Sequence, residues 1–120
     1  MRPMADSGEW RCATADLPPG RTLTFRLESG SRRIEGFVVN HEGQVRAWIN
    51  SCPHVGTPLD LWPNEFYSED GRTLVCSTHG AIFEPVTGYC TAGPCATDSL
   101  RPLPVRREGG TLVVSWPAAT

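Results

Sequence analysis

The passage Leu103-Pro-Val-Arg-Arg-Glu-Gly-Gly-Thr-Leu-Val-Val-Ser-Trp116 decides the fold. Two β-rich runs, Leu103 to Glu108 and Thr111 to Trp116, flank Gly109-Gly110, and a glycine pair between two such runs signals an antiparallel hairpin. The same grammar recurs toward the start of the chain. Arg21-Thr-Leu-Thr-Phe-Arg-Leu27 alternates polar and apolar residues, the period of a half-buried strand, and Ser29-Gly30-Ser31 breaks it. Ile34 to Val39 and Gln44 to Asn50 flank the turn Asn40-His41-Glu42-Gly43, which predicts a second hairpin with Val45, Ala47 and Ile49 on one face and Trp48 on the other. Thr73 to Cys76 and Ala81 to Glu84 are expected to be short strands about a tight Ser77–Gly80 turn, and Thr87-Gly88 a further turn. No long segment carries helical periodicity; Pro58-Leu-Asp-Leu-Trp62 offers at most one helical turn. The expected fold class is all-β, one domain over residues 1–120, with strands from both ends interrupted by an irregular insertion of approximately residues 51–96.

Bulk composition narrows the function. The chain has 120 residues, 39 % hydrophobic and 20 % charged, enough for one small core. With 12 glycines and 11 prolines spread along a loop-rich chain, a staple such as a metal site or disulfides is expected. A net charge of −2 gives no general attraction to nucleic acid or to an anionic membrane, so neither is expected as a partner. All 11 cationic residues are arginine. No apolar run approaches the roughly 20 residues that cross a bilayer, and Met1 to Gly20 lacks the apolar stretch of a signal peptide. The expected location is cytoplasmic, where five cysteines, an odd number, serve as metal ligands or reduced thiols.

Two short Cys/His pairs carry the chemistry. Cys52-Pro-His54 and Cys76-Ser-Thr-His79 give the spacing C-x-H-x21-C-x2-H. Each pair fits on one tight loop, so a thiolate and an imidazole from each can converge on a four-ligand S2N2 site. Such a set suits a lone zinc ion as well as an iron–sulfur centre. The usual Cys2His2 zinc finger places a Cys pair before a His pair and follows with a helix, whereas each half here is mixed and no helix follows. In a Rieske cluster one iron takes two cysteines and the other two histidines.

Cys52-Pro-His-Val-Gly-Thr-Pro-Leu59 and Cys76-Ser-Thr-His-Gly-Ala-Ile-Phe83, followed by Thr87-Gly88, resemble the two boxes of the Rieske ferredoxin family, and Gly93-Pro94 resembles the proline loop that covers the cluster there. With the hairpins, the resemblance covers nearly the whole chain. It implies a Rieske-like fold of antiparallel sheets with a small cluster-binding subdomain inserted in a β scaffold. It also implies one [2Fe-2S] cluster per chain, held by Cys52, His54, Cys76 and His79, and redox protein partners docking over the two histidines. The stretch between the boxes is longer than is usual in the family.

Departures from the family carry information too. High-potential Rieske proteins hold an extra cysteine in each box, where Thr57 and Thr78 stand here. They also hold a Ser and a Tyr that donate to the cluster sulfurs, where Ala81 and Phe83 stand. Fewer donors mean less stabilisation of the reduced cluster, hence a potential near −150 mV, roughly the bottom of the Rieske range, rather than +300 mV. With two of the three histidines taken by the cluster, only His41 remains, too few for a mononuclear oxygenase iron. No glycine-rich dinucleotide fingerprint is present. The expectation is therefore an electron-transfer component rather than a catalyst by itself: a ferredoxin between a reductase and an oxygenase or other acceptor. The alternatives are a non-catalytic Rieske subunit of a larger redox complex and a structural zinc-binding interaction module.

Other residues carry weaker expectations. Cys90 and Cys95 lie close to the predicted lid; a disulfide between them is geometrically possible but disfavoured by a cytoplasmic setting, and Cys95 is a candidate either for tuning the cluster or for simple packing. Cys12 is expected to be inert in an edge strand, and His41 a turn residue without a role. Asp60, Glu65, Glu69 and Asp70 make the inter-box segment acidic, with Trp62, Phe66 and Tyr67 packing it on the scaffold.

Overall fold

The computed structural model describes residues 8–51, 66–68, 71–76, 80–93 and 98–117. Among these residues the strands are β1 (Glu9–Ala13), β2 (Thr22–Ser29), β3 (Arg32–His41), β4 (Gln44–Ile49), β5 (Leu74–Val75), β6 (Ile82–Phe83), β7 (Cys90–Ala92), β8 (Pro102–Leu103), β9 (Val105–Glu108) and β10 (Thr111–Ser115). They form three antiparallel sheets, in the orders β1-β10-β9, β2-β3-β4-β8 and β5-β6-β7. Among the described residues the one helical piece is a 3-10 turn, Thr14–Asp16. No helix there is long and apolar enough to cross a membrane.

The sheet β2-β3-β4-β8 is the wall between two cores, and strand alternation sorts its side chains. Val38 and Ala47 point to one side, joining Phe25, Leu27, Leu103, Leu112 and Val114 between this sheet and β1-β10-β9. Phe37, Val39 and Trp48 point to the other, joining Phe66, Leu74, Cys76, Ala81, Phe83, Cys90 and Leu100 around the small sheet. The run Phe37-Val38-Val39 is buried on both faces, which is why β3 lacks the alternation of a half-exposed strand.

The predicted β3–β4 hairpin forms, with His41 opposite Gln44 and a two-residue turn, Glu42-Gly43, at φ 55° and 92°. Both positive values mark a type I′ turn, which matches the twist of the strands it joins. Beside it, buried Asn40 donates from Nδ2 to the Leu17 carbonyl at 2.9 Å and accepts from the Gly43 N–H at 2.9 Å. The C-terminal hairpin also forms, but from Val105 rather than Leu103. Leu103 pairs instead with Ala47 on β4. Pro104 lies between the two strands; it has no N–H to give either ladder, while its carbonyl accepts from Ser115 at 3.0 Å. One segment, Leu103 to Glu108, therefore serves two sheets. Cys12 does lie in an edge strand, β1, and burial, then nearby Asp16, push its thiol above the usual range, which favours the thiol over the thiolate.

Candidate functional site

Cys76 follows β5 directly and is wholly buried. Its N–H donates to the Ala81 carbonyl at 2.8 Å, and its own carbonyl accepts from the Gly80 N–H at 2.7 Å. These two bonds hold Cys76 against Gly80 and Ala81; Ser77 to His79, where a tight turn is expected, lie outside the described residues. Of the four expected ligands Cys76 is therefore anchored at a strand end, while Cys52, His54 and His79 lie outside the described residues. Thr57, Thr78, Pro94, Cys95, Trp62 and the four inter-box acids also lie outside them.

The strand end is held from two sides. Phe66, 1 % exposed, stacks on Phe37 of β3 with ring centroids 4.1 Å apart and planes 15° from parallel. Burying such a ring stabilises by about 1.5–3 kcal/mol, and the stacking adds about 0.5–1.5 kcal/mol. The Phe66 carbonyl accepts from the Val75 N–H at 2.7 Å, so the return from the inter-box segment lies along β5. The expected packing of Phe66 and Tyr67 on the scaffold is thus found. On the far side, Trp48 donates from its indole N–H to the Pro85 carbonyl at 3.2 Å. Gly88 leaves room for the Trp48 ring: a Cβ there would sit 2.7 Å from it. The connection between β6 and β7 is clamped to β4 by this one side chain.

Gly93, the last described residue before the predicted lid, has φ 99°, and a Cβ on it would meet the Ala81 Cα at 2.7 Å. Only glycine lets the two backbones approach so closely. The start of the lid is thereby pressed on the second box, one residue beyond its glycine. Ala81 and Phe83 are both fully buried in the core that holds Cys76, and neither brings a hydroxyl into it. Cys90 is buried there too, its Sγ 3.2 Å from the Ala92 carbonyl.

His41 has a partner that sequence reasoning missed. Its Nδ1 lies 3.1 Å from the Tyr67 hydroxyl, and the rings stack at 5.8 Å. Tyr67 is bridged to Leu74 of β5, so this pair ties the β3–β4 turn to the strand that leads into Cys76. Burial, helped by nearby Glu42, pushes the Tyr67 phenol up to about 12. No local pattern could have signalled the contact, since the two residues are 26 apart in sequence.

The Rieske [2Fe-2S] domain profile matches residues 9–115. The chain belongs to the Rieske [2Fe-2S] domain family. Its cofactor is accordingly one [2Fe-2S] cluster per chain, and a buried thiol at a strand end fits that group. The 3-phenylpropionate/cinnamic acid dioxygenase ferredoxin subunit of Escherichia coli K12 is 34 % identical over 110 residues, which cover 92 % of this chain and 94 % of that one. The oxidoreductase NdmD of Pseudomonas putida is 39 % identical over 114 residues, covering 88 % of this Rieske chain but only 18 % of its own length. Among solved structures, the ferredoxin of carbazole 1,9a-dioxygenase from Nocardioides aromaticivorans IC177 superposes with a TM-score of 0.70 at 26 % identity, covering 93 % of this chain and all of that one. The antiparallel Rieske fold expected from the boxes is thus the fold observed.

Proposed function

We propose that this Rieske chain is a one-electron carrier, a ferredoxin component that takes electrons from a reductase and delivers them to an oxygenase or another acceptor. The observation that carries the reading is the second box: a fully buried Cys76 thiol at the end of β5, its backbone held against Gly80 and Ala81. The ferredoxin relative aligned nearly end to end supports the role of carrier. In this reading Cys52 and Cys76 hold one iron, His54 and His79 hold the other, and residues 51–96 form the cluster-binding subdomain of a single domain. When bound, the cluster supplies reversible uptake of one electron. The chain's own residues do the rest. Phe37, Phe66 and Phe83 keep water from the Cys76 side, and Gly93 holds the start of the lid on Ala81. Ala81 and Phe83 give the cluster no hydroxyl donor, which favours a low potential. We assign the protein to the cytoplasm, where an odd number of cysteines stays reduced.

Potentiometric titration of the anaerobically prepared protein tests the reading. The expected result is a single one-electron wave near −150 mV, about the lower limit for Rieske centres. A wave near the upper limit, about +300 mV, would contradict the account of Ala81 and Phe83. A redox-silent protein would contradict the carrier itself.

A further inference from the structure

A groove of about 530 Å³ opens at the end of β4. Its cationic rim is Arg32 and Arg33 from the start of β3 and Arg101 from the approach to β8; Ile49 gives it an apolar wall, and Ser51 lies at one end. Ser51 is joined by a single peptide bond to Cys52. Three guanidiniums meet one carboxylate, Glu35, and that carboxylate is already engaged by Arg26 at 3.3 Å. In a chain of net charge −2 this is a local reversal of sign.

The three arginines retain donors for an incoming anion. Arg101 makes no ion pair or side-chain hydrogen bond among the described residues, while its backbone carbonyl, accepting from Ile49 at 2.9 Å, fixes it beside the end of β4. Arg32 lies with its guanidinium carbon 5.3 Å from the centre of the Trp116 ring. A contact with the ring draws on the charge of the guanidinium and takes up none of its N–H donors in a hydrogen bond to an acceptor. Arg33 has only a loose contact with Glu28, 3.8 Å between two exposed side chains, which a better carboxylate displaces. Planar guanidiniums bind carboxylates two bonds at a time and shed water more readily than ammonium groups do.

We propose that this groove docks an acidic segment of a redox partner protein, laying it beside Ser51, the residue that precedes Cys52 in the chain. The inference rests on the electron-carrier reading, because that reading gives a partner reason to dock next to Cys52. Several carboxylates on one peptide match several arginines on one rim, and the apolar wall takes the methylene stems between them. The site then orients the partner more than it holds it, since rim charges act chiefly on association rate and register.

The test uses cluster-loaded protein and a short fluorescein-labelled poly-L-glutamate, followed by fluorescence anisotropy. The peptide is expected to bind at low ionic strength and to be released by added salt. The double variant Arg33→Glu/Arg101→Glu is expected to weaken binding about tenfold or more. Arg101→Gln, milder for the fold, gives a smaller loss in the same direction. Arg107→Glu, on β9 and outside the groove, leaves binding unchanged. Equal losses in Arg107→Glu and the double variant, or tighter binding of an oligothymidylate than of the peptide, would overturn the proposal. Iron and sulfide are assayed on the same preparation. A chain that assembles no cluster contradicts the carrier reading, whereas a loaded protein that ignores poly-L-glutamate contradicts the groove alone.

Discussion

At Gly93 one hydrogen atom in place of a side chain determines how the site closes. A Cβ there meets backbone, the Ala81 Cα at 2.7 Å, and no rotamer change relieves a clash of that kind. Gly93→Ala is expected to destabilise by about 1–3 kcal/mol through overpacking, with further strain from φ 99°. Loss of cluster absorbance during chelator challenge reads this directly: the variant bleaches faster than the parent, and equal rates would show that the approach of the two loops is immaterial. The candidate ligands stand out in the sequence because cysteine and histidine are two or three residues apart within each box, a spacing that one loop can serve; of the four, only Cys76 is among the described residues. The contacts that hold the second box were less legible. Phe66 on Phe37 and Tyr67 on His41 join residues far apart in the chain, and no period or motif pairs one with the other. In sequence Gly93 stands out only for the proline after it, whereas its close approach to Ala81 depends on the packed structure.

The β3–β4 hairpin links the two cores, and its turn carries a correctable flaw. Glu42, at φ 55°, is the only non-glycine residue with positive φ among those described, and a type I′ turn favours asparagine or glycine there. Glu42→Asn creates Asn-Gly and is expected to stabilise by about 0.5–1 kcal/mol, part of the left-handed penalty removed. Thermal unfolding checks it, and a fall in melting temperature would mean that the Glu42 side chain contributes something its geometry does not reveal. Strand positions were readable from alternation, and the Val45/Ala47/Ile49 against Trp48 division is the one observed. What alternation could not give is which sheet a strand joins. The run from Leu103 to Glu108 reads as one strand in sequence, but Pro104 divides it between β4 and β10, a consequence of tertiary pairing rather than of local propensity.

Across the whole molecule, the scaffold sheet and the small sheet share one wall, and side chains from that wall reach the site. Phe37, Trp48 and His41 each bind something beyond β3 or β4: Phe66, the Pro85 turn and Tyr67. The Tyr67 phenol is pushed from 10 to about 12 in the folded chain, so folding favours its neutral form. The stability this represents is complete below the unfolded value near pH 10 and disappears as pH rises toward 12. Urea midpoints measured across that window are expected to fall more steeply for the parent than for Tyr67→Phe, and parallel curves would contradict the assignment. The most direct test of the central claim is the EPR spectrum of anaerobically purified, dithionite-reduced protein, with iron and sulfide determined on the same sample. The account predicts two irons and two sulfides per chain, as a [2Fe-2S] cluster requires, and a low average g-value from mixed His/Cys ligation. One zinc per chain and no EPR signal would contradict it.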